Sequence, residues 1–301
     1  MRYLALFIVL IAGHALAETC APEKGVAIQV LGSGGPIADD GRASTAYLVW
    51  VDGRAEVMID AGAGSFLRYG ESGARFEDLQ FVGLSHFHTD HSADFVALLK
   101  SGVFSSREGD LVVAGPGAGG PFPGLNAWLD YLLSFDGSAY QYLSAYLDGG
   151  STVLAPIEVP ESRTVTVFER GSLTVTARHV PHGIVPAVAF RVDVDGTSIV
   201  FASDQNGSDS SFIDFAADSD LLVMHLVIPE DAGERALQLH AKPSTVGRIA
   251  RSSGAEQLLL SHFMARSLRS LDDNVALVRE ASGLEPSLAS DLYCQTLVTG
   301  T

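Results

Sequence analysis

Hydrophobic residues in the first part of the chain fall into short runs that are rich in β-branched and aromatic side chains. Most of these runs end at glycine or aspartate, as strands bounded by turns do. The predicted strands are 26–36, 44–51, 55–62, 79–85 and 111–117. Segment 66–73 reads as a short helix, and 93–102 has apolar residues at helical spacing before a terminal glycine, which predicts a second helix.

The second part of the chain begins with four more apolar or alternating runs and ends in an αβ rhythm. The predicted strands are 162–169, 172–180, 187–194, 197–204, 220–227 and 256–263. Helices are predicted at 243–254 and 271–283. Strands in both halves, with helices after each group, predict an α/β fold in which two sheets pack together and helices cover them.

Segment 116–150 has a different character. It begins with glycine and proline and continues as a predicted helical hairpin that carries seven aromatic residues. Trp128, Tyr131 and Phe135 fall on one helical face. Two interpretations stay open: a hairpin packed on the core, or a lid or wall of an active site in which Trp128 and Tyr131 contact an aromatic or apolar group of a substrate.

The first seventeen residues have the layout of a secretory signal. Arg2 precedes an apolar stretch at 4–11, and Ala15-Leu16-Ala17 offers a small-residue cleavage site. An uncleaved anchor is the alternative, but the apolar stretch is short for a bilayer. We therefore expect a periplasmic or secreted protein with one domain spanning 18–301.

Acidic residues outnumber basic ones, 36 to 19, which gives a formal charge of −17. Such a field repels nucleic acid and anionic membrane surfaces. The expected partner is a small anionic or aryl ester, with no nucleic acid and no stable membrane association. A homodimer is left open.

The only two cysteines, Cys20 and Cys294, lie near opposite ends of the chain. An oxidising compartment makes a disulfide between the ends plausible. Sequence alone does not decide whether they pair.

The segment "SHFHTDHS" at 85–92 crowds titratable side chains at the end of a predicted strand. Imidazole and carboxylate groups are costly to bury without partners, and a divalent metal suits both. More candidates follow other predicted strands or precede a helix. The candidate residues are His86, His88, Asp90, His91, His182, Asp204, His240 and His262.

These motifs resemble the metallo-β-lactamase superfamily, and in particular its ribonuclease Z-like branch. The His-x-His-x-Asp-His run is the superfamily signature. "LGSGGP" at 31–36, "VMIDAGAG" at 57–64 and the segment 240–266 are similar to the loop, strand and closing helix and strand of that branch. The resemblance implies a four-layer αββα sandwich, here with segment 116–150 as a helical insert.

The resemblance also implies two zinc ions, which manganese or iron could replace. The first would be held by His86, His88 and His182, the second by Asp90, His91 and His262, with Asp204 bridging both. Asp60, which ends "VMID", is similar to a family aspartate that supports the metal ligands.

His240 resembles a catalytic histidine that the branch orients with a glutamate after a "D-x-L-x-H" strand. Here that strand contains His225, and Leu226 stands where the glutamate is expected, so His240 lacks its usual partner. The predicted catalytic residues are Asp90 and His240. Lys242 and Arg266 are candidates for gripping a phosphate or sulfate oxygen.

A hydroxide that bridges two zinc ions would be a nucleophile at neutral pH. We therefore expect an exported hydrolase of small phosphodiesters or aryl sulfate esters, of the kind seen in arylsulfatase- and phosphodiesterase-like members of the branch. A lactone or β-lactam hydrolase using the same metals is one alternative. A metal-binding protein without catalysis is another.

Overall fold

A computed structural model describes residues 20–161 and 163–297. The predicted signal at 1–17 lies outside the described residues. The strands are β1 Val26–Gly32, β2 Ala46–Val51, β3 Arg54–Ile59, β4 Phe81–Gly83, β5 Gly109–Pro116, β6 Thr152–Val159, β7 Val165–Arg170, β8 Leu173–His182, β9 Val185–Val194, β10 Thr197–Phe201, β11 Leu221–His225, β12 Gln257–Ser261, β13 Ser287–Leu288 and β14 Cys294–Leu297.

Helices connect and cover these strands. They are α1 Ser65–Ser72, α2 Thr89–Ser92, α3 Phe95–Gly102, α4 Leu125–Leu133, a 3-10 helix Gln141–Tyr146, α5 Ser211–Phe215, α6 Glu234–Leu239, α7 Pro243–Ser253, α8 Ala265–Leu268 and α9 Leu271–Ser282. No helix among the described residues is long and apolar enough to cross a membrane.

The strands form two seven-stranded sheets that are built alike. The first has the order β14-β1-β2-β3-β4-β5-β6 and the second β13-β12-β11-β10-β9-β8-β7. Each begins with antiparallel hairpins and continues with parallel strands. Asp52-Gly53 and Asp195-Gly196 close two of the hairpins with positive φ at both residues, which is the turn that matches strand twist.

Aromatic side chains pack between the two sheets. Tyr47 of the first sheet lies 5.3 Å from Phe201 of the second, and Phe81 lies 5.9 Å from Phe190, measured between ring centroids. Full burial of such a ring contributes about 1.5–3 kcal/mol. A further apolar cluster packs the other face of the first sheet against α3 and α4. Buried residues of α7 and α9 belong to the apolar cluster of the second sheet, which confirms the predicted four-layer αββα sandwich.

Strands buried on both faces explain why the sequence pattern identified so many of them. Every residue of β2, β10 and β11 is buried, so these strands are continuous apolar runs. Strand β6 was missed because Pro156 interrupts its run. The proline is tolerated there because β6 is the edge strand of its sheet.

Cys20 and Cys294 form a disulfide, which settles the pairing that the sequence left open. Cys294 begins β14, the strand that pairs with β1. The bond therefore fastens the start of the described chain to the edge strand near its end.

Segment 116–150 connects β5 to β6 and differs from the predicted hairpin, because its second helix is the 3-10 helix. Leu125, Leu129 and Leu133 anchor α4 on the core. Trp128 packs against Phe87, which stands between His86 and His88 in the histidine motif. One face of α4 thus packs on the core, as the first interpretation holds, while Trp128 faces the candidate site.

Candidate metal centre

The candidate ligands meet at the carboxyl ends of strands from both sheets. His182 is the last residue of β8, and His262 directly follows β12. His86 and Asp204 each lie three residues beyond a strand, β4 and β10 respectively. The short helix α2 supplies Asp90 and His91. Ligand sites of open α/β sheets lie at this edge, because parallel strands deliver their following residues there.

A first group of donors consists of three histidines. The Nε2 atom of His86 is 3.0 Å from Nδ1 of His88, and the rings of His86 and His182 are 5.0 Å apart. One nitrogen from each of the three rings falls within 4.8 Å of the others. His88 is half-buried, whereas the other two are buried.

A second group consists of two histidines and a carboxylate. The Nε2 atoms of His91 and His262 are 3.1 Å apart, and Asp90 Oδ2 is 3.6 Å and 3.3 Å from them. Donor atoms bound to one tetrahedral zinc at about 2.0–2.1 Å are about 3.3–3.4 Å from each other. The spacing in this group therefore fits a shared metal ion.

Asp204 lies between the two groups. Its Oδ2 is 3.7 Å from Nε2 of both His91 and His182, and its Oδ1 is 3.4 Å from Nε2 of His262. Burial raises the pKa of Asp204, but His262, His240 and His225 outweigh it and hold the pKa well below its usual range. The side chain is therefore a carboxylate that can bridge two cations.

Hydrogen bonds outside the centre set the tautomer of three histidines. The Nδ1–H of His91 donates to Asp60 Oδ2 at 2.7 Å, and that of His182 donates to the Leu239 carbonyl at 2.9 Å. Ser85 Oγ donates to Asp60 and so accepts from Nδ1 of His86 at 3.2 Å. Each ring therefore directs its Nε2 towards the centre. Burial lowers the pKa of His91, but Asp60 and Asp204 outweigh it and raise the pKa well above its usual value, so a metal bound there would displace a proton from Nε2.

Unpaired buried nitrogens show that the protein alone does not satisfy this centre. His182 Nε2 is buried and has no hydrogen-bond partner among the described residues. Burial, together with the neighbouring His91 and His182, lowers the pKa of His86 well below its usual value. Neutral imidazoles with unused lone pairs are the form that binds metal, so the residues fit the two-metal site that the sequence predicts.

Backbone conformation at the centre is unusual. Asp60, Ser203 and His262 all have φ near +60°, a region that costs non-glycine residues energy. Gly62 is equally constrained, since a Cβ there would lie 2.1 Å from the carbonyl oxygen of Asp90. Strained backbone conformations at Asp60, Ser203 and His262 therefore accompany the placement of the ligands.

His225 has a role that the sequence did not reveal. Its Nδ1–H donates to Asp204 Oδ1 at 2.7 Å, and its Nε2 accepts from the Tyr47 hydroxyl at 3.2 Å. This chain fixes the orientation of Asp204. Tyr47 and Ser85 were missed because a single tyrosine or serine in an apolar run looks like ordinary strand sequence.

His240 stands beside Asp204 without the partner that the family pattern provides. Leu226 is fully buried in the core, and Nδ1 of His240 has no hydrogen-bond partner within the described chain. Its Nδ1 atom lies 3.7 Å from Asp204 Oδ1. Burial lowers the pKa of His240 to about 3, although Asp204 raises it. The ring is neutral at neutral pH.

A cavity of about 510 Å³ opens over the centre. It is lined by Pro36, Phe87, His88, Thr89, Asp90, His182, Asp204, Leu239, His240, His262, Met264 and Arg266. Of the residues predicted to contact the substrate, Arg266 lines the cavity, whereas Tyr131 and Lys242 do not. Tyr131 is 68% exposed, and the Lys242 ammonium pairs with Glu230 at 2.8 Å. Trp128 lines an adjoining pocket.

Comparisons with known proteins agree with this fold and site. A family model described as a beta-lactamase superfamily domain matches residues 56–263. A ribonuclease Z of Mycobacterium marinum is 28% identical over 281 residues, which cover 89% of this chain and 97% of the relative.

Solved structures with similar folds include a tRNase Z and a diphosphatase. Human tRNase Z, short form, has a TM-score of 0.70 at 17% identity, covering 90% of this chain and 99% of that chain. A diphosphatase of the PhnP family has a TM-score of 0.63 at 14% identity, covering 90% and 97%. At these identities the likeness concerns the fold alone.

Proposed function

The chain belongs to the beta-lactamase superfamily, and on that premise we propose that it is an exported two-metal hydrolase of small phosphodiesters or sulfate esters. Its similarity to ribonuclease Z places it in the ribonuclease Z-like branch, and it is a metal-dependent hydrolase acting on ester bonds. The observation that carries the proposal is the convergence of two donor groups on Asp204 beneath an open cavity.

The protein's own residues prepare the centre for chemistry. His86, His88 and His182 would hold one divalent ion, and Asp90, His91 and His262 the other, with Asp204 between them. When bound, such ions act as Lewis acids and make water nucleophilic at neutral pH. Asp60 and Ser85 keep the imidazole lone pairs directed inward.

Two further residues are placed to act on the substrate. The Arg266 guanidinium lines the cavity and is held by its Nε–H, which donates to the Val227 carbonyl at 3.1 Å. It can neutralise a non-bridging oxygen of a phosphate or sulfate. His240 is neutral, so its ring can donate a hydrogen bond to a developing oxyanion or to the leaving oxygen without being a permanent cation.

Charge favours a small substrate over RNA. The protein carries 36 acidic and 19 basic residues, and Arg266 is the one Lys or Arg among the described residues that line the cavity. Binding along a phosphate backbone needs several such contacts. RNA processing is nevertheless the second candidate, because the relative from M. marinum is named ribonuclease Z and is matched over nearly its full length.

Export is part of the proposal and has two supports. The pattern of residues 1–17 is that of a secretory signal. The Cys20–Cys294 disulfide suits an oxidising compartment. Mass spectrometry of the protein from a periplasmic extract tests this point, since export predicts a chain that begins at Glu18.

Zinc content and turnover test the activity together. The purified protein is assayed with bis-aryl phosphate, aryl sulfate, a chromogenic β-lactam and a precursor tRNA, alongside Asp204→Ala and the control Asp209→Ala. Asp209 pairs with Arg178 outside the centre. We expect two zinc ions per chain and ester turnover that Asp204→Ala abolishes and Asp209→Ala retains. Dominant β-lactam opening or tRNA cleavage would overturn the substrate assignment.

A further inference from the structure

A separate pocket of about 200 Å³ opens beside the metal centre. It shares Phe87 and His88 with the larger cavity, so the two adjoin at one ligand of the first histidine group. Phe122, Trp128, Val185 and Pro186 form most of the remaining wall. Apart from His88, every side chain of the lining is apolar or aromatic.

The wall of this pocket is preorganised. The Trp128 indole stacks on the Phe87 ring, with centroids 4.7 Å apart and planes inclined by 8°, and it also meets Phe95 at 5.8 Å. The neighbouring Leu129 of α4 is buried in the core, which fixes the helix that carries Trp128. Pro186, another residue of the wall, is buried at the start of β9. These wall residues are fixed in the fold, so binding of a ligand would cost little free energy to order them.

The size and chemistry of the pocket fit one aromatic ring. An apolar cavity of about 150 Å³ is known to accept benzene. Here a flat ring would lie beside the Phe87–Trp128 stack and would exclude water from apolar walls. A charged or strongly hydrated group would lose its hydration without gaining partners, apart from His88.

We propose that this pocket binds the aryl group of the substrate while the anionic ester group occupies the main cavity, against Arg266 and the metal ligands. The inference rests on the proposed function and narrows it to aryl esters. In an aryl phosphodiester, water adds to phosphorus and the bond from phosphorus to the aryl oxygen breaks. One proton of the water ends on the departing phenol, and the other product is a phosphomonoester.

Binding of two phosphonates to the zinc-loaded protein tests the pocket without depending on turnover. Phenylphosphonate and methylphosphonate carry the same anion and differ in the ring. We expect phenylphosphonate to bind about 10- to 100-fold more tightly in calorimetric titrations, the range that burial of one ring supports. Equal affinity for the two, or no binding of either, would overturn the inference.

Variants of the pocket wall test whether the pocket causes the tighter binding of phenylphosphonate. Val185→Trp fills the pocket and should bring the two affinities within about 3-fold by weakening phenylphosphonate alone. Phe122→Ala removes part of the wall and should also reduce the preference for phenylphosphonate. It provides the same test if Val185→Trp does not fold. Tyr131→Ala is the matched control, since Tyr131 lies one helical turn from Trp128 but outside the pocket. It should leave both affinities unchanged.

The outcomes for the pocket and for the proposed function are distinguishable. A phenyl preference that Val185→Trp removes, in a protein that hydrolyses no diester or sulfate ester, would keep the pocket and reject the function. Diester hydrolysis with no phenyl preference would keep the function and reject the pocket.

Discussion

Asp60→Asn is the substitution that most directly tests how the metal ligands are oriented. Asp60 Oδ1 accepts from the Ser85 backbone N–H at 2.7 Å, and Oδ2 accepts from Ser85 Oγ and His91 Nδ1 at 2.8 Å and 2.7 Å. An asparagine has one acceptor oxygen and one amide donor. If the asparagine oxygen still accepts from the Ser85 backbone N–H, the amide N–H group faces the Nδ1–H of His91. Two hydrogen-bond donors then point at each other.

That conflict is relieved when His91 moves its proton from Nδ1 to Nε2. The ring then presents N–H instead of a lone pair towards His262, and it ceases to be a metal ligand. Loss of an outer partner of this kind lowers metal affinity about 10- to 100-fold, which is about 1.4–2.7 kcal/mol. If the asparagine turns the other way, the Ser85 N–H is left buried and unpaired, which costs about 1–3 kcal/mol of folding stability.

Zinc competition with a chromophoric chelator measures the effect. We expect the variant to lose affinity for one zinc of the pair and to retain the other. Asp94→Asn is the control, because it removes the same charge while keeping an acceptor for the Phe66 N–H and touches no ligand. If Asp60→Asn bound both zinc ions as tightly as the wild type, the tautomer argument would be wrong.

Three further predictions follow from the contacts described above. Reduction of the disulfide should lower the free energy of unfolding by about 2–4 kcal/mol, seen as a lower melting temperature with dithiothreitol; an unchanged value would show that the bond adds nothing. His225→Leu should cut zinc affinity, because Asp204 loses the donor that orients it. Tyr47→Phe keeps the His225 donor and should lower the zinc affinity less than His225→Leu does. Glu230→Gln should cost about 0–1 kcal/mol at neutral pH. Burial raises the pKa of Glu230, but hydrogen bonds led by that from Lys242 lower it further, below its usual value. The stabilisation is therefore present above the unfolded pKa and lost as pH falls through the folded one, so urea titrations of the two proteins should converge in acid.

The sequence predicted the fold well because most strands here are buried on both faces. Such strands are continuous apolar runs, which stand out in any chain. Strand β6 escaped because its proline breaks the run, and its edge position is known only once the sheets are assembled. The 3-10 helix was expected as an α-helix, because aromatic residues at close spacing suit either form.

The sequence predicted the site residues that belong to short motifs. It did not predict those whose role depends on a tertiary hydrogen bond or ion pair. The structure brings the seven predicted ligands together, and their chemistry is rare enough in strand ends to stand out. Asp60 was expected to support them, but its partner Ser85 was not. Lys242 was predicted to contact the substrate, but in the structure it pairs with Glu230, which lies twelve positions earlier in the chain and so outside any short-range pattern.

The division of the metal ligands between the two halves of the chain has a consequence for how metal binding and folding are linked. Neither half contains all the ligands of either ion. His86 and His88 come from the first half and need His182 from the second, while Asp90 and His91 need His262. A pair of ions held there would cross-link the halves, and each ion would stabilise only the assembled state. At a free zinc concentration one hundred times the dissociation constant, each would add about 2.7 kcal/mol to the stability of the whole. Separated halves should therefore have little zinc affinity until they associate.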